Sequence, residues 1–225
     1  MGELGPGAAV DRRVSTHRVR IFCSLALALL CSGLVGTASA EDPWSELALA
    51  RQAIERYAWT ADFVQTFVPA GFSSGEREAG RVSLQLPGML RWDYELPYEK
   101  SFLIRGATAF SWNADELSGR KALLEAEDLN HLALLELDIA TLRARYRAEL
   151  SQAAGGGVEI ALVPIEPGHE IRDAHLRIDA TSYQLLTVRY SDVEGNTTEF
   201  QLSGHRVAAE DSLFLPPADI DWIDR

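Results

Sequence analysis

The sequence predicts an α+β fold, a curved antiparallel sheet with helices covering one of its faces. Three observations carry that prediction. From about Trp59 onward most of the chain alternates apolar and polar residues with period two. Helical periodicity is confined to one segment near the start of the mature chain and one internal insert, and Gly, Pro and Asn punctuate the alternating runs at short intervals. The block Gly80 to Pro97 is the clearest case. Val82, Leu84 and Leu86 fall on one side of a strand and Arg81, Ser83 and Gln85 on the other. After Pro87-Gly88, Leu90, Trp92 and Tyr94 alternate with Arg91, Asp93 and Glu95.

The N-terminus belongs to targeting and not to the core. Arg12, Arg13, Arg18 and Arg20 form a basic region, Ile21 to Val35 an apolar run, and Ala38-Ser39-Ala40 a small-x-small site, which together predict a secretory signal peptide over 1–40, cleaved after Ala40. An uncleaved anchor is the alternative, although the run is shorter than the ~20 residues a span needs. Arg12-Arg13 invites a twin-arginine reading, but Val14-Ser15-Thr16-His17 lacks the apolar character that route favours, which points to general secretion. Both cysteines, Cys23 and Cys31, lie in this segment, and Leu30 occupies the place where a lipidation signal wants a small residue. The mature chain is therefore expected to be soluble and free of disulfides.

Residues 41–225 are expected to form a single domain, long enough to bury a sizeable core or cavity. Removing residues 1–40 takes four arginines, one Glu and one Asp from 21 basic and 33 acidic residues, leaving 17 and 31, a formal charge of −14. Such a surface is unsuited to nucleic acid or anionic headgroups, and serves solubility or a basic partner.

Ser45 is the expected cap of a helix running to about Tyr57, with Leu47, Ala50, Ile54 and Tyr57 forming its apolar stripe. Phe63, Gln65 and Phe67 then alternate along a strand, and a loop from Pro69 leads into the Gly80 hairpin. Short strands are predicted at Phe102 to Ile104, Ala109 to Asn113 and Lys121 to Leu124. Between Asp128 and Leu150 the spacing of Leu132, Leu134, Leu135, Leu137, Leu142 and Tyr146 reads as a helical pair, with Asp138 capping its second member and Gly155-Gly156-Gly157 closing it. Period-two segments resume at Val158 to Val163, Ala174 to Asp179, Leu185 to Tyr190 and Thr197 to Leu202. A turn at Glu194-Gly195-Asn196 joins the last two, and an extended piece carries Phe214-Leu215-Pro216-Pro217.

Enzymatic motifs are weak. Gly71-Phe72-Ser73-Ser74-Gly75 matches G-x-S-x-G, the pattern of a serine esterase, yet that elbow needs a buried strand before it and a helix after it, whereas Pro69-Ala70 precede and a strand follows. His169-Glu170 begins like a zinc-protease helix, but Asp173 stands where the second His belongs. His131, His175 and His205 lack ligand spacing. No catalytic residue, metal or cofactor is expected.

Four pieces in order make the mature chain resemble the LolA family of outer-membrane lipoprotein carriers. They are Trp59-x3-Phe63-x-Gln65; Gly80-x-Val82-x-Leu84-x-Leu86-Pro87-x2-Leu90-Arg91-Trp92-x-Tyr94-x2-Pro97; Gly106-x-Thr108 with Phe110 and Trp112; and Phe214-x-Pro216-Pro217-x2-Ile220-Asp221. The resemblance implies an unclosed β-barrel lidded by helices and, in the periplasm, a monomeric carrier. Its apolar interior would hold lipoprotein acyl chains received from an inner-membrane LolCDE-type transporter and passed to an outer-membrane LolB-type receptor. On this reading Val82, Leu84, Leu86, Leu90, Trp92, Phe110 and Trp112 wall the acyl-chain cavity, and Leu132, Leu134, Leu135 and Leu137 form the lid. The receptor LolB shares the fold but is lipidated, which the residues around Cys31 do not suit. Another periplasmic lipid or glycolipid is the alternative cargo.

The chain departs from the family pattern at Leu86, where the family has an arginine that bonds to the lid, and at Arg105 and Leu90. Closure is therefore expected to rest on apolar contact with Leu132 to Leu137.

Overall fold

The computed structural model describes residues 42–125, 134–153, 157–168, 170–208 and 211–224. The first helix, α1 (Pro43–Glu55), starts three residues earlier than the sequence suggests. Asp42 is the N-cap: its carboxylate accepts from the Trp44 amide at 3.4 Å and from Ser45 Oγ at 3.1 Å. Pro43 fits the first turn because its missing N–H would have no intrahelical partner there. Leu47, Ala50 and Ile54 form the buried stripe as expected. The helix ends before Tyr57, which stays 60 % exposed.

Among the described residues twelve strands follow: β1 (Trp59–Val68), β2 (Glu76–Gln85), β3 (Met89–Leu96), β4 (Lys100–Arg105), β5 (Thr108–Asn113), β6 (Ser118–Leu123), β7 (Tyr146–Ala153), β8 (Gly157–Pro164), β9 (Ile171–Asp179), β10 (Leu185–Asp192), β11 (Thr197–Val207) and β12 (Asp221–Asp224). They make one sheet in the order β12-β6-β5-β4-β3-β2-β1-β11-β10-β9-β8-β7. Every neighbouring pair is antiparallel except β12 and β6, and the edges β12 and β7 do not meet, so the barrel is unclosed. Register sets the apolar face: Val82 stands opposite Trp92, and Leu84 opposite Leu90. Gly80 is required where it is, because a Cβ there would collide with the Asp93 carbonyl of β3.

Strong curvature follows from the rings. Strands β3 and β11 are three intervals apart, roughly 14 Å in a flat sheet at about 4.8 Å per interval. Trp92 on β3 and Phe200 on β11 nevertheless approach to 4.8 Å between ring centroids, with Phe63 of β1 wedged edge-on against Trp92 at 4.7 Å. The sheet is folded around this aromatic cluster. The main core lies within that concavity, where Leu47, Ala50 and Ile54 of α1 join Ile160, Leu162, Leu176, Ile178 and Val188.

The internal insert differs from its expected form. Helical residues occur at 134–136, and α2 (Ile139–Arg145) starts at Asp138, whose carboxylate accepts from the Thr141 amide at 3.3 Å. From Tyr146 to Leu150, however, the chain is the edge strand β7 and not helix. Tyr146, Ala148 and Leu150 also satisfy period two, and eight register pairs with β8 outweigh the helical alternative. Leu132, His131, His169 and the pair Gly155-Gly156 lie outside the described residues.

The extended C-terminal piece is a 3-10 turn at Asp211–Phe214 followed by β12, which adds to β6 in parallel. It covers the convex face of β3 to β6. Arg91 holds it there, donating to the Leu213 carbonyl at 3.1 Å while pairing with Asp93 at 2.8 Å.

Candidate functional site

Beneath residues 134–135 lies a cavity of about 110 Å³, walled by Trp92 and Tyr94 of β3, Val188 and Tyr190 of β10, and Phe200 of β11. Leu134, which is 1 % exposed, and the half-buried Leu135 roof it. Its polar atoms are turned to partners in the wall. Tyr94 Oη donates to Gln65 Oε1 at 2.6 Å, and Tyr190 is hydrogen-bonded to Thr198. Burial pushes both phenols above their ordinary range, Tyr94 also through the neighbouring Glu78 carboxylate, so both remain neutral donors at physiological pH. The surface offered to the cavity is aromatic and aliphatic, suited to apolar chains.

Of the residues read from sequence as the wall, Trp92 lines this cavity. Val82, Leu84 and Leu90 face the same concavity, buried in the continuous core, and Leu86 packs against that core half-buried. Phe110 and Trp112 do not line it. Phe110 pairs with Leu103 and so with Arg91, while Trp112 pairs with Ser101 and so with Asp93, which puts both on the convex face. There they pack against Trp222 of β12, at 5.0 and 5.8 Å, and Arg91 stacks on Trp112 at 5.3 Å. Alternation within a strand cannot say which of two sheet faces is interior when both are covered. Tyr94, Val188, Tyr190 and Phe200 show the same alternation; what singles them out is the fold of the sheet that brings β3 to β10 and β11.

A polar latch absent from the sequence reading holds the roof. Arg51 of α1 donates through Nη1 to the Glu136 carbonyl at 3.0 Å, and the Gly88 amide donates to Glu136 Oε1 at 3.1 Å. Gly88 sits two residues beyond Leu86, in the β2–β3 turn where φ is +72°. The segment expected to form the lid is thus bonded to a backbone amide of the turn that follows Leu86 and to an arginine from α1. Residues 134–136 are therefore not held in place by apolar contact alone. Leu137 follows with φ +51°, a left-handed conformation costly for a branched side chain, and is fully buried.

Burial raises the Glu136 carboxyl above its ordinary value of 4.5, opposed by the Gly88 amide and Arg51 and reinforced by Asp138. A carboxyl whose value is raised in the closed form holds its proton more tightly there than when exposed. Closure is therefore favoured as pH falls from neutral toward the carboxylate range, and weakened as pH rises through the raised value. Uptake of a fluorescent apolar probe is expected to decline on acidification from pH 7 to pH 5, and in Glu136→Gln to be flat and low across that range. Parallel profiles in the two proteins would remove Glu136 from the latch.

The Gly71–Gly75 segment is an exposed loop joining β1 directly to β2, so the strand-turn-helix geometry of a nucleophile elbow is not formed. Among the described residues no cluster of His, Cys, Asp and Glu has metal-binding geometry, and no helix is long and apolar enough to cross a membrane.

Residues 57–216 match the family described as outer membrane lipoprotein carrier protein LolA. An outer-membrane lipoprotein carrier protein of Methylococcus capsulatus is 27 % identical over 166 residues, covering 72 % of this chain and 78 % of the relative. Among solved structures, an uncharacterized conserved protein of Thermus thermophilus superposes with a TM-score of 0.53 at 11 % identity, over 80 % of this chain and 98 % of that one. MucB superposes with a TM-score of 0.51 at 16 % identity, over 81 % and 66 % of the respective chains. At those identities the two structures bear on the fold alone.

Proposed function

This chain belongs to the LolA family of outer-membrane lipoprotein carrier proteins, and from that premise we propose that it shelters lipoprotein acyl chains in the periplasm and moves them from the inner to the outer membrane. The observation that carries the reading is the latched aromatic cavity. An acyl chain of roughly fifteen methylenes costs about 12 kcal/mol to expose to water, at about 0.8 kcal/mol per methylene, so transit demands an enclosed apolar space. Sites for small molecules start near about 300 Å³, whereas the space under Leu134 is about 110 Å³. On this reading the cavity is in its closed form, and loading requires residues 134–136 to swing away. Two hydrogen bonds and a few apolar contacts are a closure weak enough for cargo to reverse.

On this reading residues 1–40 export the chain and are removed after Ala40, leaving 41–225 as the single carrier domain. Val82, Leu84, Leu86, Leu90 and Trp92 support or line the acyl-chain space, with Leu134, Leu135 and Leu137 in its lid. Cargo arrives from a LolCDE-type transporter and leaves to a LolB-type receptor, and the carrier acts as a monomer without catalysis. Mass spectrometry of what copurifies with the exported protein tests the assignment. Triacylated polypeptides are the expected finding; free phospholipid or glycolipid without polypeptide would replace lipoproteins as the cargo and overturn it.

A further inference from the structure

We propose that the cleft between the end of α1 and the start of β10 is a second binding site, for an anionic amphiphile that carries a hydroxyl group. The cleft holds about 340 Å³, three times the space under Leu134, and the two cavities share no lining residue. It therefore reaches the size range of small-molecule sites while the closed acyl-chain cavity does not. Ile54, Trp59 and Leu185 give it an apolar body. Its charged lining is Arg56 and Arg206 with no carboxylate, in a chain that has 33 acidic residues against 21 basic. Arg206 is committed to Asp62 at 3.1 Å. Arg56 is exposed and has no ion pair among the described residues, which leaves one cation at the mouth for an anionic headgroup.

The hydroxyl follows from two orphaned atoms. Trp59 Nε1 and His205 Nε2 are buried without a hydrogen-bond partner, on rings 5.4 Å apart that both line the cleft. His205 bonds the Leu185 backbone through its other nitrogen, and burial keeps the ring neutral, so Nε2 is a bare acceptor beside the Trp59 donor. A buried donor and a buried acceptor left open are costly. One hydroxyl satisfies both, accepting from Trp59 and donating to His205, after a small rotation of the rings toward the cleft. Tyr183, on the same wall, is held at φ +58°, a conformation that bulky residues avoid and that recurs at ligand sites.

The test is calorimetric titration of the exported protein with 3-hydroxydecanoate, decanoate and decyltrimethylammonium, each below its micellar concentration. The hydroxy acid is expected to bind at least tenfold more tightly than decanoate, and the cation at least tenfold more weakly than either acid. Trp59→Phe keeps the apolar wall and should abolish the difference between the two acids. Ala53→Trp, at an exposed lining position, should block both acids, and Arg56→Glu should weaken both at least fivefold. Equal affinity for the two acids means that a single water satisfies the ring nitrogens, and overturns the proposal. So does acid binding untouched by Ala53→Trp, or cation binding as tight as that of the acids. These outcomes are independent of the lipoprotein reading, because the two cavities share no lining residue.

Discussion

Replacing Arg51 by alanine is expected to increase the apparent affinity for an apolar fluorescent probe by tenfold or more. The substitution removes the Nη1 donor to the Glu136 carbonyl and the cation that offsets the Glu136 carboxylate. Hydrogen bonds from charged groups contribute about 1.5–3 kcal/mol, and about 1.4 kcal/mol is tenfold in an equilibrium. Because apparent affinity scales with the fraction of molecules whose lid is open, a closed lid released by that amount raises uptake proportionally, up to the point where the open form dominates. Arg51 also pairs with Glu55 one turn on, at 2.7 Å, but that half-exposed pair lies along the helix and contributes little. Glu55→Ala is the control, and it should leave uptake within about twofold of the parent. Titration with an environment-sensitive apolar dye, alongside circular dichroism to verify α1, reads the result. Unchanged or weaker uptake in Arg51→Ala would mean that the latch does not govern access.

Phe63→Ala is expected to destabilise the protein by about 3–5 kcal/mol, the range for truncating a buried Phe. Against a total of roughly 5–15 kcal/mol for a domain, that approaches the threshold of folding. Phe63 is 2 % exposed and meets Trp92 at 4.7 Å, Tyr94 at 4.9 Å and Phe200 at 6.3 Å, all edge-on. Each such ring pair adds about 0.5–1.5 kcal/mol beyond burial, and together they hold β3 against β11. Phe102, 41 % exposed and touching Tyr94 at 5.8 Å, is the matched comparison, with an expected cost near about 1 kcal/mol. Urea unfolding of both variants separates them. A loss below about 1 kcal/mol in Phe63→Ala would mean that the curvature of the sheet does not depend on the aromatic cluster.

Much of the architecture was legible because period two and period 3.6 are local. Apart from β7, the strands from β1 to β11 fall close to the alternating runs, and α1 buries the Leu47, Ala50 and Ile54 stripe. The misreadings occur where two local patterns coincide. Tyr146 to Leu150 satisfies both periods, and only pairing with β8 decides for strand. Phe110 and Trp112 alternate as cavity residues would, yet the covering C-terminal segment makes the opposite face equally dry. β12 is too short to announce itself, and its parallel partner β6 is about a hundred residues away.

The candidate site divides in the same way. Leu134 and Trp92 were identifiable as apolar residues of a lid and a wall. Tyr94, Tyr190 and Phe200 became wall residues only through the curvature of the sheet, and the Glu136 latch only through a backbone amide and a helix residue 85 positions apart from it. Residue types at fixed short spacing are enough to specify the elements, the apolar character of their faces and the family. Which face encloses a cavity, how residues 134–136 are held without an arginine at position 86, and where a second cleft opens emerge only in the folded chain, because those properties depend on contacts between residues whose separation along the sequence carries no periodic signal.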